Sequence, residues 1–181
     1  MFAALGGQLD AFAHLASGGL LGRAFLPTGE HWVPFAVFGA VAAISPDVDA
    51  PLALLGTEAW AKHHQVFTHS LIGLALVPFV LSLFPFRFAP WRTRYIVALS
   101  GWLLHVVLDV CANWEVPLLW PVSQDRWALH LLDTDFSWPI DMLLVLGLAI
   151  TLWQPAMSHA RVLSIATAAV LVLWLAAGLP T

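Results

Sequence analysis

Hydrophobic residues in this chain fall in six blocks separated by short polar stretches. The blocks are Phe2–Leu26, Trp32–Ser45, Thr68–Phe86, Tyr95–Cys111, Trp138–Trp153 and Val162–Leu179. A helix needs about 20 apolar residues to cross a membrane. The third and sixth blocks reach that length, and the fourth does so only if it includes His105 and Asp109. The pattern predicts an all-α, polytopic transmembrane bundle of about five to six helices, with residues 1–181 as a single integral-membrane domain.

The composition is that of an integral membrane protein. Of 181 residues, 60% are hydrophobic and 10% are charged, whereas soluble domains have roughly 45–50% apolar and about 25% charged residues. The net charge is −4 and no basic stripe is present, which argues against a nucleic acid partner. The single cysteine, Cys111, excludes an internal disulfide and a cysteine-rich metal site. No basic region precedes the first block, so no cleavable signal is expected.

The basic residues predict the orientation in the membrane. Cytoplasmic loops carry an excess of Lys and Arg, and alternate loops of this chain hold Arg23, Arg87, Arg92, Arg94 and Arg161. Only Lys62 and Arg126 fall on the other side. This orientation places the polar clusters described below on the extracytoplasmic side of the inner membrane. The tryptophans of the outer loop then lie at the interface; they are Trp114, Trp120, Trp127 and Trp138.

The stretch HVVLD places His105 and Asp109 four residues apart in an otherwise apolar run. This spacing puts both side chains on one helix face. An ionisable group within a membrane span is costly and indicates a functional site. The alternative is a His–Asp pair whose members satisfy each other between helices.

The stretch SPDVDAP follows the second block and contains Asp47 and Asp49. Pro46 is expected to end the helix and Pro51 to prevent its immediate regrowth. Two carboxylates in a fixed turn are good ligands for zinc or for a hard metal ion. The alternative is an aspartate-rich turn that caps a helix.

The stretch HHQVFTHS opens the third block and supplies His64 and His69. Thr68 is expected to be the N-cap, so that His69 opens the helix and His64 lies in the preceding loop. A break near Thr68 is needed if both histidines bind at one site. His63 is interpreted as a bystander.

Other candidate ligands lie in the first block and around the fifth. His14 has Asp10 one turn earlier on the same helix face. The loop before the fifth block, and its first turn, add His130, Asp133, Asp135 and Asp141. The sequence does not choose among these four, although Asp141 is best placed. His31 and His159 fall on the inner side and are interpreted as interfacial.

Taken together, these clusters predict a metal centre at one face of the membrane. Imidazole and carboxylate ligands suit zinc, with manganese or iron as alternatives. The chain has no nucleophile elbow, phosphate loop or haem signature. Water activated by a metal is therefore the most plausible chemistry.

The ordered motifs resemble those of the YdjM-like inner-membrane metal-dependent hydrolases. That family shows a histidine in the first helix, a PDxD turn, an HRGxTHS motif, and an HxxxD helix followed by a WP segment. In this chain the resemblance implies seven site residues: His14, Asp47, Asp49, His64, His69, His105 and Asp109. Gln65 and Val66 replace the arginine and glycine of the family motif.

The order of the motifs is also similar to that of zinc-dependent phospholipase C enzymes. This second resemblance makes His130 and Asp141 the later ligands and implies phosphoester hydrolysis by a metal cluster. Asp47 or Asp49 would then act as general base or bridging ligand. The expected substrate is a membrane lipid or a lipid-linked phosphoester.

Two other classes of function remain open from the sequence. Intramembrane His and Asp residues also occur in metal-ion and proton transporters, although a pathway needs polar residues at both depths of the membrane. The other alternative is a structural protein that a metal stabilises.

Overall fold

The computed structural model describes residues 3–25, 32–55, 64–84, 89–111, 114–129 and 138–153, which are mostly helical apart from 64–70 and 114–129. The elements are α1 (Ala3–Phe25), α2 (Trp32–Ile44), a 3-10 segment (Ser45–Leu55), α3 (Leu71–Leu83), α4 (Trp91–Cys111) and α5 (Trp138–Trp153). Within these ranges the only β-type pairing is an isolated antiparallel bridge between Val116 and Trp127. The all-α class predicted from the sequence is confirmed for this part of the chain.

Among the described residues, two helical stretches are long and apolar enough to cross a membrane. They are Val33–Pro51, which joins α2 to the 3-10 segment, and Trp91–Cys111, which is α4. The apolar stretches of α3 and α5 are shorter. The sixth predicted block, 162–179, lies outside the described residues, so the total of five to six spans stays a prediction.

Helices α1 and α2 approach each other through glycines. A Cβ atom added to Gly39 would lie 2.2 Å from the carbonyl oxygen of Gly18, and one added to Gly22 would lie 2.1 Å from that of Phe35. Small residues at such contacts let two backbones come close together, as is common between membrane helices. This contact fixes the position of α1, and with it the position of His14.

Helix α4 packs against α2 and against the segment that follows it. Phe35, Phe38 and Ala42 of α2 form a buried cluster with Val97 and Ala98 of α4. One to two turns further along α4, Trp102 and Val106 pack against Val116. A separate cluster joins α1 to α5; its members are Ala16, Leu20 and Leu144. Helix α4 therefore holds His105 and Asp109 in the interior of the fold.

Residues 114–129, called the 114–129 loop below, bridge the ends of α3 and α4. Val116 and Trp127 exchange two backbone hydrogen bonds, of 3.0 and 2.9 Å. The Leu71 amide at the start of α3 donates to the Leu118 carbonyl at 2.9 Å, and the Leu129 amide donates to the Val110 carbonyl of α4 at 2.7 Å. The loop thus pairs helix-terminal groups that would otherwise lack partners.

Two predicted helix starts, those of α3 and α4, are wrong by a few residues, and Pro51 does not prevent a further helical segment as predicted. Helix α3 begins at Leu71 rather than near Thr68, because the hydroxyl of Ser70 accepts from the Gly73 amide and makes Ser70 the N-cap. Pro46 ends the regular α-helix as predicted, but a 3-10 segment follows it and includes Pro51; within that segment Asp47 departs from helical geometry (φ −82°, ψ 15°).

Helix α4 begins at Trp91, four residues before the predicted Tyr95. Arg92 and Arg94 therefore belong to its first turn and not to the preceding loop. Arg94 donates to the carbonyls of Ser82 and Ala89 at 3.0 Å each, which pairs carbonyl groups at the end of α3 and just before α4.

Candidate metal centre

The structure brings seven of the eight predicted metal-binding side chains into one continuous cluster. They come from α1, the 3-10 segment, the loop before α3, and α4; the residues are His14, Asp47, Asp49, His64, His69, His105 and Asp109. His69 and His105 are fully buried, and Asp109 is 3% exposed. The predicted convergence of these side chains is thus observed, while their roles as metal ligands remain predictions.

At the centre of the cluster, four polar atoms face one another: Nε2 of His69, Nε2 of His105, Oδ2 of Asp109 and Oδ1 of Asp47. The two nitrogens are 3.0 Å apart, and they lie 3.1 Å and 3.3 Å from the Asp109 oxygen. Each nitrogen is 3.5 Å from the Asp47 oxygen. Ligands about 2.0–2.2 Å from a zinc ion stand roughly 3.3–3.5 Å apart in a tetrahedron. The separations among His69, His105 and Asp109 suit three ligands of one divalent cation, and Asp47 Oδ1 lies close to both nitrogens.

The helix register explains how α4 contributes two members of this set. His105 and Asp109 are one turn apart, as the i, i+4 spacing predicted, and both point into the interior. Burying a carboxylate costs several kcal/mol or more unless it is paired. Asp109 is paired on both oxygens, because His14 lies 3.2 Å from Oδ1 while His69 and His105 approach Oδ2.

His14 joins the cluster from α1. Its ring stacks on that of His105, with centroids 3.8 Å apart. The sequence paired His14 with Asp10, but the side chain of Asp10 is outside the described part of the structure, and the carboxylate that His14 contacts is Asp109. The Nδ1 atoms of His14 and His105 are buried and have no hydrogen-bond partner among the described residues.

Asp49 and His64 form the more accessible edge of the cluster. His64 Nδ1 is 2.8 Å from Asp49 Oδ1, and the two side chains are 10% and 12% exposed. The side chain of Asp47 is 21% exposed. The described part of the cluster is therefore most exposed at Asp47, Asp49 and His64, on the side of the 3-10 segment.

The loop before α3 supplies two residues that the sequence did not single out as site residues. Gln65 has a left-handed backbone (φ 59°), which turns the chain between His64 and His69. Its amide donates to Asp49 Oδ2 at 3.0 Å, and its side-chain amide donates to Asp109 Oδ2 at 3.4 Å. The hydroxyl of Thr68 donates to Asp49 Oδ2 at 3.1 Å and lies 3.0 Å from His69 Nδ1. This turn is the break near Thr68 that a shared site required.

Three groups within the cluster have the spacing of separate metal sites. They are His14, Asp47 and His105; His69, His105 and Asp109; and Asp47, Asp49 and His64, with the ligand atoms of each group within 4.8 Å of one another. His105 and Asp47 each belong to two groups. The arrangement accommodates one shared ion or a small metal cluster.

Several sequence candidates lie outside the described part of the structure. Asp141 is on α5, but its side chain is not described, and the same holds for the whole of His130, Asp133 and Asp135. His31, His63 and His159 are also outside. Whether any of these completes the ligand set stays a prediction.

Comparison with known proteins identifies the family of the chain. The sequence pattern of the family described as YdjM inner membrane protein matches residues 9–179. The chain belongs to the YdjM inner membrane protein family. The matched range contains all seven residues of the cluster. Family membership and the two apolar helical stretches together support a location in the inner membrane.

Two curated members of the family are similar to this chain. The inner membrane protein YdjM of Escherichia coli (strain K12) is 33% identical over 118 residues, which cover 59% of this chain and 57% of that protein. The YdjM protein of Shigella flexneri gives the same values. The match thus spans little more than half the length of these relatives. No solved structure matches the chain.

Proposed function

We propose that this chain is a membrane-embedded, metal-dependent hydrolase that cleaves a phosphoester in a lipid or lipid-linked substrate at the outer face of the inner membrane. The observation that carries the proposal is the contact among His69, His105, Asp109 and Asp47. Two imidazole nitrogens 3.0 Å apart, both close to carboxylate oxygens, can share a proton or hold a divalent cation in its place. Such a cluster is expensive to keep inside a membrane protein unless it has a function.

Zinc fits this donor set best, with manganese or iron as alternatives. His69, His105 and Asp109 would hold the ion, Asp47 would reach it from the accessible side, and His14 would hold Asp109 from α1. A divalent ion in such a site supplies positive charge that acidifies water and stabilises charge developing on phosphoryl oxygens.

Asp47 is the residue best placed to handle protons. It is the most exposed of the three aspartates, and its Oδ1 atom lies 3.5 Å from the nitrogens of both His69 and His105. The Asp47 carboxylate would take a proton from the attacking water as the new P–O bond forms. It would return that proton to the alcohol released when the ester P–O bond breaks.

The surroundings of Asp47 favour an amphiphilic substrate. Val48, next to it, is 70% exposed, and Phe67 is 40% exposed and packs edge-to-face on Trp120, with ring centroids 6.1 Å apart. Apolar side chains beside a polar cluster suit a molecule with a charged head and a hydrocarbon tail. This supports a lipid over a soluble phosphoester.

Transport of a metal ion or proton is the rival function. A transport pathway needs polar groups on both sides of the cluster. On the inward side, α4 presents Trp102, Ala98 and Val97, which are 0–1% exposed and packed. This packing favours a site with one entrance.

The proposal is tested with the purified full-length chain in detergent. We expect a bound transition metal by elemental mass spectrometry, hydrolysis of phosphodiester and phospholipid substrates, loss of turnover after chelation, and its return with added zinc, manganese or iron. Bound metal without turnover on any phosphoester would favour a structural metal. Metal uptake into vesicles containing the protein would favour the transporter.

The predicted side of the site has its own test. In a Cys111→Ser background, single cysteines replace Arg92 and Asp125, and intact cells are labelled with an impermeant thiol reagent. We expect labelling at position 125 and none at position 92, because basic residues favour the cytoplasm. Cys111 is the single cysteine of the chain and is buried. Its replacement leaves the introduced cysteine as the thiol that is labelled and does not change the surface. Labelling at position 92 and none at position 125 would show that the chain has the opposite orientation in the membrane.

A further inference from the structure

Asp49 is fully engaged in hydrogen bonds to the loop before α3. Its Oδ1 atom is 2.8 Å from His64 Nδ1, and its Oδ2 atom accepts from the Gln65 amide at 3.0 Å and from the Thr68 hydroxyl at 3.1 Å. Three partners on two oxygens leave Asp49 poorly suited to take a proton from water. Its arrangement is that of a group that holds other groups in place.

We propose that Asp49 is a positioning residue that acts through Thr68 to keep a proton on His69 Nδ1, so that Nε2 is the nitrogen left for a metal ion beside His105 and Asp109. This inference rests on the proposed metal site, because the ion would replace the proton that Nε2 shares with Asp109 Oδ2, 3.1 Å away, and would bind the Nε2 lone pair. It assigns Asp49 a role different from that of Asp47, although the two residues are only two positions apart.

The direction of each hydrogen bond follows from the number of protons available. A carboxylate only accepts, so the single hydroxyl proton of Thr68 points to Asp49. The Thr68 oxygen is 3.0 Å from His69 Nδ1 and can then only accept from it. His69 therefore carries its proton on Nδ1. In the neutral ring this leaves Nε2 as a lone pair.

The lone pair is placed where a ligand is needed. Nε2 of His69 is 3.0 Å from His105 Nε2 and 3.1 Å from Asp109 Oδ2. His14 and His105 differ, since their Nδ1 atoms have no partner within the described residues. Of the three buried histidines, His69 alone has its tautomer set by a hydrogen-bonded chain, so it is the ring prepared to bind first.

The test replaces Thr68 by valine and by serine in the full-length chain. Valine keeps the shape of threonine and lacks the hydroxyl, whereas serine keeps the hydroxyl. Thr151→Val is the matched control, because Thr151 is also buried and its hydroxyl donates to a backbone carbonyl of its own helix, that of Leu148. Should Thr68→Val fail to fold, Thr68→Ala removes the same hydroxyl in a smaller side chain.

Two measurements are made on each variant: zinc affinity by competition with a chelator, and the ¹⁵N NMR signals of the His69 ring in the metal-free protein. Thr68→Val should bind zinc about 10–100-fold more weakly, the usual effect of removing a group that orients a ligand, and His69 should lose its fixed tautomer. Thr68→Ser and Thr151→Val should match the wild type in both measurements.

A change at Asp49 gives an independent check. In Asp49→Ala the Thr68 hydroxyl loses its acceptor and can donate to His69 Nδ1, so the His69 signals should change as in Thr68→Val. Asp49→Asn is the conservative control, because its side-chain oxygen can still accept from the Gln65 amide and the Thr68 hydroxyl, and the His69 signals should stay as in the wild type. Wild-type His69 signals in Asp49→Ala would overturn the role of Asp49.

Wild-type zinc affinity and an unchanged His69 tautomer in Thr68→Val would overturn the positioning role and leave the proposed hydrolase intact. A wild-type protein that binds no metal would contradict the proposed function instead. In that case the His69 signals of Thr68→Val still support or refute the hydrogen-bonded chain.

Discussion

His105→Ala is expected to abolish hydrolysis, empty the metal site and lower the thermal stability of the protein. His105 is fully buried, and its Nε2 atom contacts His69, Asp47 and Asp109. The substitution removes a ligand and takes one partner from a buried carboxylate. Breaking a buried charged pair in this way costs about 3–5 kcal/mol.

Chelation of the wild type should reproduce this loss of stability, because metal binding contributes to the free energy of folding. The measurements are melting curves with and without chelator, metal content and phosphoester turnover. His159→Ala is the control and should change none of them, since His159 was assigned to the inner side from the sequence. Full metal content and activity in His105→Ala would contradict the metal site and would mean that the cluster only packs helices together.

Gly39→Ala is expected to destabilise the protein by about 1–3 kcal/mol, the usual cost of overpacking, even though alanine favours a helix by about 1 kcal/mol over glycine. The new methyl group would lie 2.2 Å from the backbone oxygen of Gly18 and 2.8 Å from the Cα atom of Gly22. Backbone atoms cannot rotate away, so α1 and α2 have to separate. Because α1 carries His14, metal affinity should fall as well.

Gly19→Ala is the matched control for this prediction. Its methyl group would lie 3.0 Å from both terminal methyls of Leu148, which can move, and 3.6 Å from the Ala36 carbonyl oxygen, an ordinary contact distance. We expect Gly19→Ala to melt at or near the wild-type temperature and to keep its metal. Equal melting temperatures for the two alanine variants would contradict the prediction, because they would show that the backbones of α1 and α2 are farther apart than in the structure.

The sequence alone was enough to predict the main parts of the site. The i, i+4 spacing of His105 and Asp109 in an apolar run is a local signal, and it placed both on one buried helix face as observed. The apolar blocks predicted the helices for a similar reason, since hydrophobic length and helix length are directly related. The two short motifs that supply Asp47 and His69 were recognised from residue type and order.

Features that depend on contacts between distant segments could not be predicted in this way. Asp47 and Asp49 look equivalent in SPDVDAP, but in the fold Asp47 faces His69 and His105, whereas Asp49 bonds the loop at His64 and Gln65. A left-handed glutamine has no sequence signature. The contact of His14 with Asp109 was not predicted, because the register of α1 against α4 is set by packing that the sequence does not display.

The shortness of α3 has a consequence for the membrane around it. With 13 residues, α3 is about 20 Å long at 1.5 Å per residue, against a hydrocarbon core of about 30 Å. Arg94 of α4 bonds the Ser82 carbonyl near the end of α3, so the two helices are level at that end. The opposite end of α3 therefore stops about 10 Å below that of α4.

The 114–129 loop fills this depth, and it can do so because its backbone groups are paired with one another and with both helix ends. Hydrophobic mismatch at this edge then makes the bilayer thinner or draws lipids down around the loop, at fractions of a kcal/mol per Å. A phosphoester bond at the base of a lipid headgroup would lie at the depth of His69 and His105 without leaving its leaflet. The thickness of the surrounding membrane would then affect how closely a lipid headgroup approaches the His69 and His105 cluster.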